Sequence, residues 1–191
     1  MKTIIQMLAV LSIIGIVSGG SLYLLDDWAQ PMIKANKELA TNQAIKEVQP
    51  ATEKSIPSSG AITYYTCLNG KGDTVGYALK CKGNGFQGAI EIIVGLSKDL
   101  NTITKISVLE QSETPGLGTK ILEDEYAGQY LNLVVTDGIT KVKPGEGNTE
   151  QAKKEGKVET ITGATISTKS VIAIVDLAVK DLKKHFAERG V

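Results

Sequence analysis

Ten residues near the carboxyl end, Glu159-Thr160-Ile161-Thr162-Gly163-Ala164-Thr165-Ile166-Ser167-Thr168, set five hydroxyls around a glycine and an alanine. Small residues let backbone amides approach a ligand closely. The amphipathic stretch that follows reads as a helix, and the free N–H groups and positive dipole end of a helix start favour a phosphate. Helix capping alone needs one hydroxyl, not five. The candidate ligand residues here are Thr162, Gly163, Ala164, Thr165 and Ser167. Thr165 comes directly after the small pair and directly before the helix, whereas Ser167 and Thr168 are expected to cap it. A second segment, Glu113-Thr114-Pro115-Gly116-Leu117-Gly118-Thr119-Lys120, reads as a tight loop exposing amides and one apolar side chain. Glu113, Thr114, Gly116, Leu117 and Gly118 could therefore lie against a flat ring and hydrogen-bond its carbonyls. Gly-Leu-Gly by itself is as often a simple turn.

These segments need elements to hold them. Ser167 to Ala187 carries Val171, Ile174, Val175, Ala178, Leu182 and Phe186 on one helical face, with lysines toward its end. Ala61–Cys67, Thr74–Cys81, Ala89–Leu96 and Ile103–Glu110 are rich in β-branched and aromatic residues. Asn69-Gly70 and Lys82-Gly83-Asn84-Gly85 supply turns between them, which implies an antiparallel sheet. Ile121 to Tyr130 reads as a short helix, Leu131–Thr136 as a strand, and residues 143–157 as a polar loop. Helices segregated from a sheet of hairpins give an α+β domain.

Ahead of this domain, Thr3 to Leu25 contains no charged residue. As a helix rising ~1.5 Å per residue it spans roughly the ~30 Å hydrocarbon layer. A cleaved signal peptide could end around Ser18, Gly19 and Gly20. Leu22 to Leu25 continue the apolar run past that site, and Tyr23 and Trp28 fall where interfacial aromatics belong. The expectation is an uncleaved single-pass anchor over residues 1–25. Lys2 before the span and Asp26 and Asp27 after it put the amino terminus in the cytoplasm and the domain outside. Residues 26–59 read as a helical stalk, with Pro31 near its start, followed by a linker marked by Pro50, Pro57 and Gly60. The folded domain is placed at 60–191.

The 191 residues hold 21 basic and 21 acidic side chains. The balance gives no reason to expect a nucleic-acid partner, which would call for a basic face. Cys67 and Cys81 could form a disulfide outside the cytoplasm, since they flank what reads as a hairpin; two buried thiols is the alternative. They cannot complete a zinc or iron–sulfur site within this chain, and no metal ligand set is expected. His185, the lone histidine, reads as a solvated surface residue.

Taken together, the two motifs resemble one family. Thr162-Gly163-Ala164-Thr165 after Glu159 resembles the flavinylation motif of FMN-binding domains, and Glu113 to Gly118 resembles their companion motif. The resemblance covers about Gly60 to the end. It is nearest to the G-subunit family of Rnf ion-translocating oxidoreductases, and the C-subunit family of the Na⁺-translocating NADH:quinone reductase is similar but usually longer. Glu159 stands where many members carry aspartate, and Thr162 where serine is common. The resemblance implies that a separate flavin transferase esterifies FMN through its phosphate to Thr165. Glu159 would help recognition by the transferase, and the Glu113–Gly118 loop would hold the ring. It further implies an electron relay between other membrane subunits of an Rnf-like complex, which reduces NAD from ferredoxin while pumping Na⁺ or H⁺. No residue is expected to be catalytic alone. The competing readings are a free-standing anchored flavoprotein of extracellular electron transfer and a non-redox anchored binding module.

Overall fold

The computed structural model describes residues 2–58 and 60–189. The chain divides into two compact units, Met1–Ala40 and Thr41–Val191.

The first unit is helical. It belongs to one continuous helix, α1 (Lys2–Val48), which contains Pro31 in its interior. Proline there forfeits one ladder hydrogen bond without ending the helix, so the separate stalk helix expected from Asp27 is a continuation of the anchor. The helix is long and apolar enough to cross a membrane, and its residues 2–28 are exposed. Such a surface suits lipid rather than water.

The second unit is built on a six-stranded antiparallel sheet in simple sequence order. Its strands are β1 (Lys54–Pro57), β2 (Tyr64–Leu68), β3 (Thr74–Asn84), β4 (Ala89–Ser97), β5 (Thr102–Glu110) and β6 (Leu133–Val134). Successive strand residues point to opposite faces, which gives the sheet two apolar sides. One carries Leu79, Cys81, Ile90, Ile92, Val94 and Leu96. It is covered by Tyr126 and Tyr130 and by Val171, Val175, Val179 and Leu182 of the long helix α4 (Thr165–Arg189). The other carries Cys67, Ala78 and Ile93, packed by Ala44, Ile45 and Val48. The α+β architecture expected from the sequence is the one observed.

Three boundaries differ from the sequence reading. The compact unit starts at Thr41, not Gly60, because residues 41–48 bury an apolar face on the sheet and 54–57 form its edge strand. Thr104 Oγ1 donates to the Val48 carbonyl (2.6 Å) and Gln49 Nε2 to the Leu96 carbonyl (2.7 Å), so the helix end is tied to the strands. The polar stretch 143–157 holds a short helix, α3 (Glu150–Lys154), flanked by β7 (Thr140–Val142) and β8 (Lys157–Glu159). These two strands pair in parallel as a separate sheet. The helix expected over 121–130 is split into a 3₁₀ turn (Gly118–Leu122) and α2 (Asp124–Gly128).

The cysteines are free. Cys67 lies opposite Gly76 on β3, five residues before Cys81 on the same strand, and the two thiols sit in cores on opposite sides of the sheet. No disulfide can bridge that arrangement. His185 is also not a free surface residue. It is half-buried, its ring 6.2 Å from Tyr64 and 6.3 Å from Phe186, at the rim of an aromatic cluster that includes Tyr77.

Candidate functional site

Three chain segments converge at the start of α4. The first is the turn Ile161-Thr162-Gly163-Ala164, closed by the Ala164 amide on the Ile161 carbonyl (3.0 Å). Its third position has φ of +82°, a left-handed conformation that favours glycine. The chain then enters the helix at Thr165, two residues earlier than the sequence suggested. Ala164 is the N-cap residue, because its carbonyl accepts the first intrahelical bond, from the Thr168 amide (2.9 Å). Alanine has no side-chain oxygen to cap with, and the amides of residues 165–167 have no acceptor within the helix. The expected caps are used elsewhere. Thr168 Oγ1 donates back to the Ala164 carbonyl (3.0 Å), and Ser167 Oγ donates to the Glu113 carboxylate.

The second segment is the loop after β5. The Leu117 amide donates to the Thr114 carbonyl (3.2 Å) and the Gly116 amide to Thr119 Oγ1 (2.9 Å). These amides serve the loop itself, contrary to the expectation that they would face a ligand. What the loop presents is the Leu117 side chain, about half exposed. Its tip lies 3.7 Å from the point where a Cβ on Gly163 would sit, so the two sequence motifs touch. Gly118 permits the approach on the other side. A Cβ there would fall 2.7 Å from Glu113 Cβ and 2.8 Å from Ser167 Oγ.

The third segment belongs to neither motif. The β3–β4 turn carries Phe86, 60% exposed. Its amide and that of Gln87 donate to Glu113 Oε1 (2.8 and 3.1 Å), while Gln87 Nε2 reaches Thr114 Oγ1 (3.0 Å). The only sequence signal is an aromatic between Gly85 and Gly88. The turn expected over residues 82–85 lies too early in the chain to expose it.

Between these segments lies a cleft of about 300 Å³, lined by Phe86, Thr114, Leu117, Gly118 and residues 163–167. Phe86, Leu117 and Ile166 give it three exposed apolar walls. None of these lining residues carries a charge, so an anion held here is met by backbone amides and hydroxyls rather than by a cationic side chain. Thr165 is exposed, and its hydroxyl makes one long bond, 3.3 Å to the Ile161 carbonyl. A larger groove of about 550 Å³ between β3 and α4 contains neither motif.

Three predicted residues lie outside the cleft lining: Gly116, whose amide is turned to Thr119 Oγ1 within its loop, Glu113 and Thr162. Glu113 faces inward and is buried, beneath the cleft rather than on it. Burial works to raise its pKa, but hydrogen bonds from Ser167 and from the Gln87, Phe86 and Gly88 amides outweigh that and hold it below the ordinary carboxylate value. Thr162 is exposed and lines a neighbouring cleft with Lys120, Glu123 and Glu159. Glu159 Oε2 accepts the Gly145 and Gly147 amides (2.9 and 3.1 Å), which pins the loop between β7 and α3. Its own amide donates to the buried Gln129 side chain (2.7 Å).

A helix start whose first amides have no acceptor within the helix, beside an apolar slot on an antiparallel sheet, is the arrangement of a class of domain suited to a phosphate joined to a flat ring. The FMN-binding domain family matches residues 85–180, a span that takes in all three segments, and the chain belongs to that family. Along nearly its whole length it is similar to the G subunit of the ion-translocating oxidoreductase complex of Methanosarcina acetivorans. The two are 31% identical over 93% of this chain and 94% of that one. The G subunit of a proton-translocating ferredoxin:NAD(+) oxidoreductase complex from Clostridium ljungdahlii is 26% identical over 88% of this chain and 83% of its own length. Among solved structures, NqrC of Shewanella oneidensis shares the fold, with a TM-score of 0.55 at 18% identity over 72% of this chain and 74% of that one.

Proposed function

We propose that this chain is the electron-relay subunit of a membrane-bound, Rnf-like ion-translocating ferredoxin:NAD⁺ oxidoreductase, with FMN esterified through its phosphate to Thr165. The observation that carries this reading is an exposed threonine hydroxyl at an uncapped helix start, inside a cleft walled by Phe86, Leu117 and Ile166. FMN supplies reversible electron transfer when bound. Thr165 offers an accessible nucleophile with only a weak internal bond to break. Attachment would join the Thr165 oxygen to the FMN-side phosphorus of FAD and break the P–O–P bridge, with AMP leaving and the threonine proton passing to a base on a separate flavin transferase. The amides of residues 165–167 and the helix dipole would hold the resulting phosphodiester. Phe86, Leu117 and Ile166 enclose the ring and keep water from it. Thr162 and Gly163 shape the turn, and Thr162 and Glu159 face the surface from which a transferase approaches.

The similarity to G-subunit proteins over nearly the full length supports assembly with other membrane subunits. Lys2 ahead of the apolar span and Asp26 and Asp27 after it favour a cytoplasmic amino terminus and an extracytoplasmic domain. Intact mass of the protein produced alongside a flavin transferase tests the reading. A gain of about 440 Da, the mass of esterified FMN, is expected, and an unmodified mass under those conditions refutes it.

A further inference from the structure

Glu113 sits where the three cleft segments meet. It immediately precedes the Thr114–Gly118 loop, its Oε1 accepts the Phe86 and Gln87 amides, and its Oε2 accepts the Ser167 hydroxyl. An ionised carboxylate can only accept, so the proton in the last of these bonds belongs to Ser167. A serine hydroxyl has one proton. Ser167, which lines the cleft, therefore turns only lone pairs toward it. The backbone fixes the arrangement, since Gly118 lies directly against both partners.

We propose that Glu113 is a positioning residue of the flavin site: by accepting the Ser167 O–H in a buried hydrogen bond it makes Ser167 an acceptor toward the cofactor and renders that wall electronegative. This rests on the reading that the cleft holds FMN. A wall of this kind suits a ring N–H or a ribityl hydroxyl. It is unsuited to the phosphate, which is left to the amides of the first turn of α4. It also disfavours added electron density on a nearby ring, so the pair lowers the flavin's midpoint potential. Glu113→Gln reverses the polarity. The amide oxygen still accepts the Phe86 and Gln87 amides, its NH₂ donates to Ser167, and the serine proton is free to point into the cleft.

The test compares wild type, Glu113→Gln, Ser167→Ala and the double variant, each produced in full length with a flavin transferase. Intact mass is read first, then the flavin midpoint potential. A wild-type protein without the FMN mass sinks the parent reading and is recognised before any potential is measured. With FMN present, Glu113→Gln is expected to shift the potential to more positive values, and to do so less in the Ser167→Ala background, where no hydroxyl can turn. Ser167→Ala alone is expected to give a smaller positive shift. A brace without electrostatic influence would lower the unfolding temperature and leave the potential unmoved. An unshifted potential in Glu113→Gln, or equal shifts in both backgrounds, overturns the proposal. Should Glu113→Gln fail to fold, a wild-type potential in flavinylated Ser167→Ala overturns it alone.

Discussion

The hydroxyl of Ser167 donates to the carboxylate of Glu113, 54 positions earlier in the chain. Each lies in one of the two motifs, and both are buried. The motifs are thus joined by a bond beneath the cleft, while their exposed members, Leu117 and Thr165, form its walls.

Thr165→Ala should abolish covalent flavin and leave the domain folded. Thr165 is exposed and its hydroxyl makes one 3.3 Å bond, so the stability cost is under about 1 kcal/mol. Intact mass and a thermal melt check both halves. Thr165→Ser should retain some flavin, and Thr162→Ala should reduce its yield. A flavin ester that persists in Thr165→Ala, mapped by peptide mass to Thr162 or Ser167, would show the acceptor to be misassigned.

Phe86→Ala should keep the flavin ester and raise the fluorescence of the bound flavin, because the ring loses an aromatic neighbour that quenches it. At 60% exposure Phe86 contributes little to the core, so the melting temperature of unmodified protein should hardly change. Emission equal to that of wild type would remove Phe86 from the ring's surroundings.

Acid should weaken the unmodified domain partly through Glu113. Its folded-state pKa is depressed, so it contributes stability that is fully present above the unfolded value, about 4.3. That contribution is lost as pH falls through the folded value. Melting temperatures of wild type and Glu113→Gln, followed downward from pH 6, should converge below about pH 4.3. Parallel curves throughout would mean that Glu113 is not a linked group.

Both cysteines should stay reduced even in an oxidising compartment. Burial pushes the Cys81 thiol up to about 12 and raises that of Cys67, and the sheet separates them. Alkylation of native protein at pH 8 should be slow, and unfolding without reductant should release two reactive thiols. A mass two hydrogens short would contradict this.

A fragment starting at Asp27 should fold, and one starting at Gly60 should not. The shorter piece lacks Ile45 and Val48, whose burial stabilises by about 1.5–3 kcal/mol each. It also lacks β1, and so leaves β2 as an unpaired edge. Circular dichroism melts and size exclusion would distinguish the fragments, and a cooperative, monomeric Gly60 fragment would disprove the boundary.

The four central strands were legible because runs of β-branched and aromatic residues bounded by turn residues, such as Ile90–Leu96, mark strands, and this one is buried on both faces. The α4 face was legible from apolar residues recurring at helical period. The boundary at Thr41 was not. Ala44, Ile45 and Val48 look like any amphipathic helix, and nothing local says that they cover Cys67 and Ile93. Pro50 and Pro57 are ordinary linker signals, yet Pro57 ends an edge strand, where proline is tolerated. At the site, Thr165, Leu117 and Gly163 could be named from their motifs. The inward turn of Glu113 could not, because its partners come from sequence neighbourhoods 26 and 54 residues away.

The alanine at the N-cap of α4 has a consequence for how the protein matures. Serine, threonine, aspartate or asparagine there would add about 0.5–2 kcal/mol to the helix, so the unmodified chain carries a built-in weakness at this helix start. A phosphodiester on Thr165 would place its negative charge against those amides and recover about 0.3–1 kcal/mol, reaching ~2 where partly shielded from water. The prosthetic group would then act as the missing cap. Flavinylated and unflavinylated subunits would differ in resistance to local opening at this end, and therefore in exposure to proteases. Loading would be readable by the cell as stability, with unloaded chains cleared first.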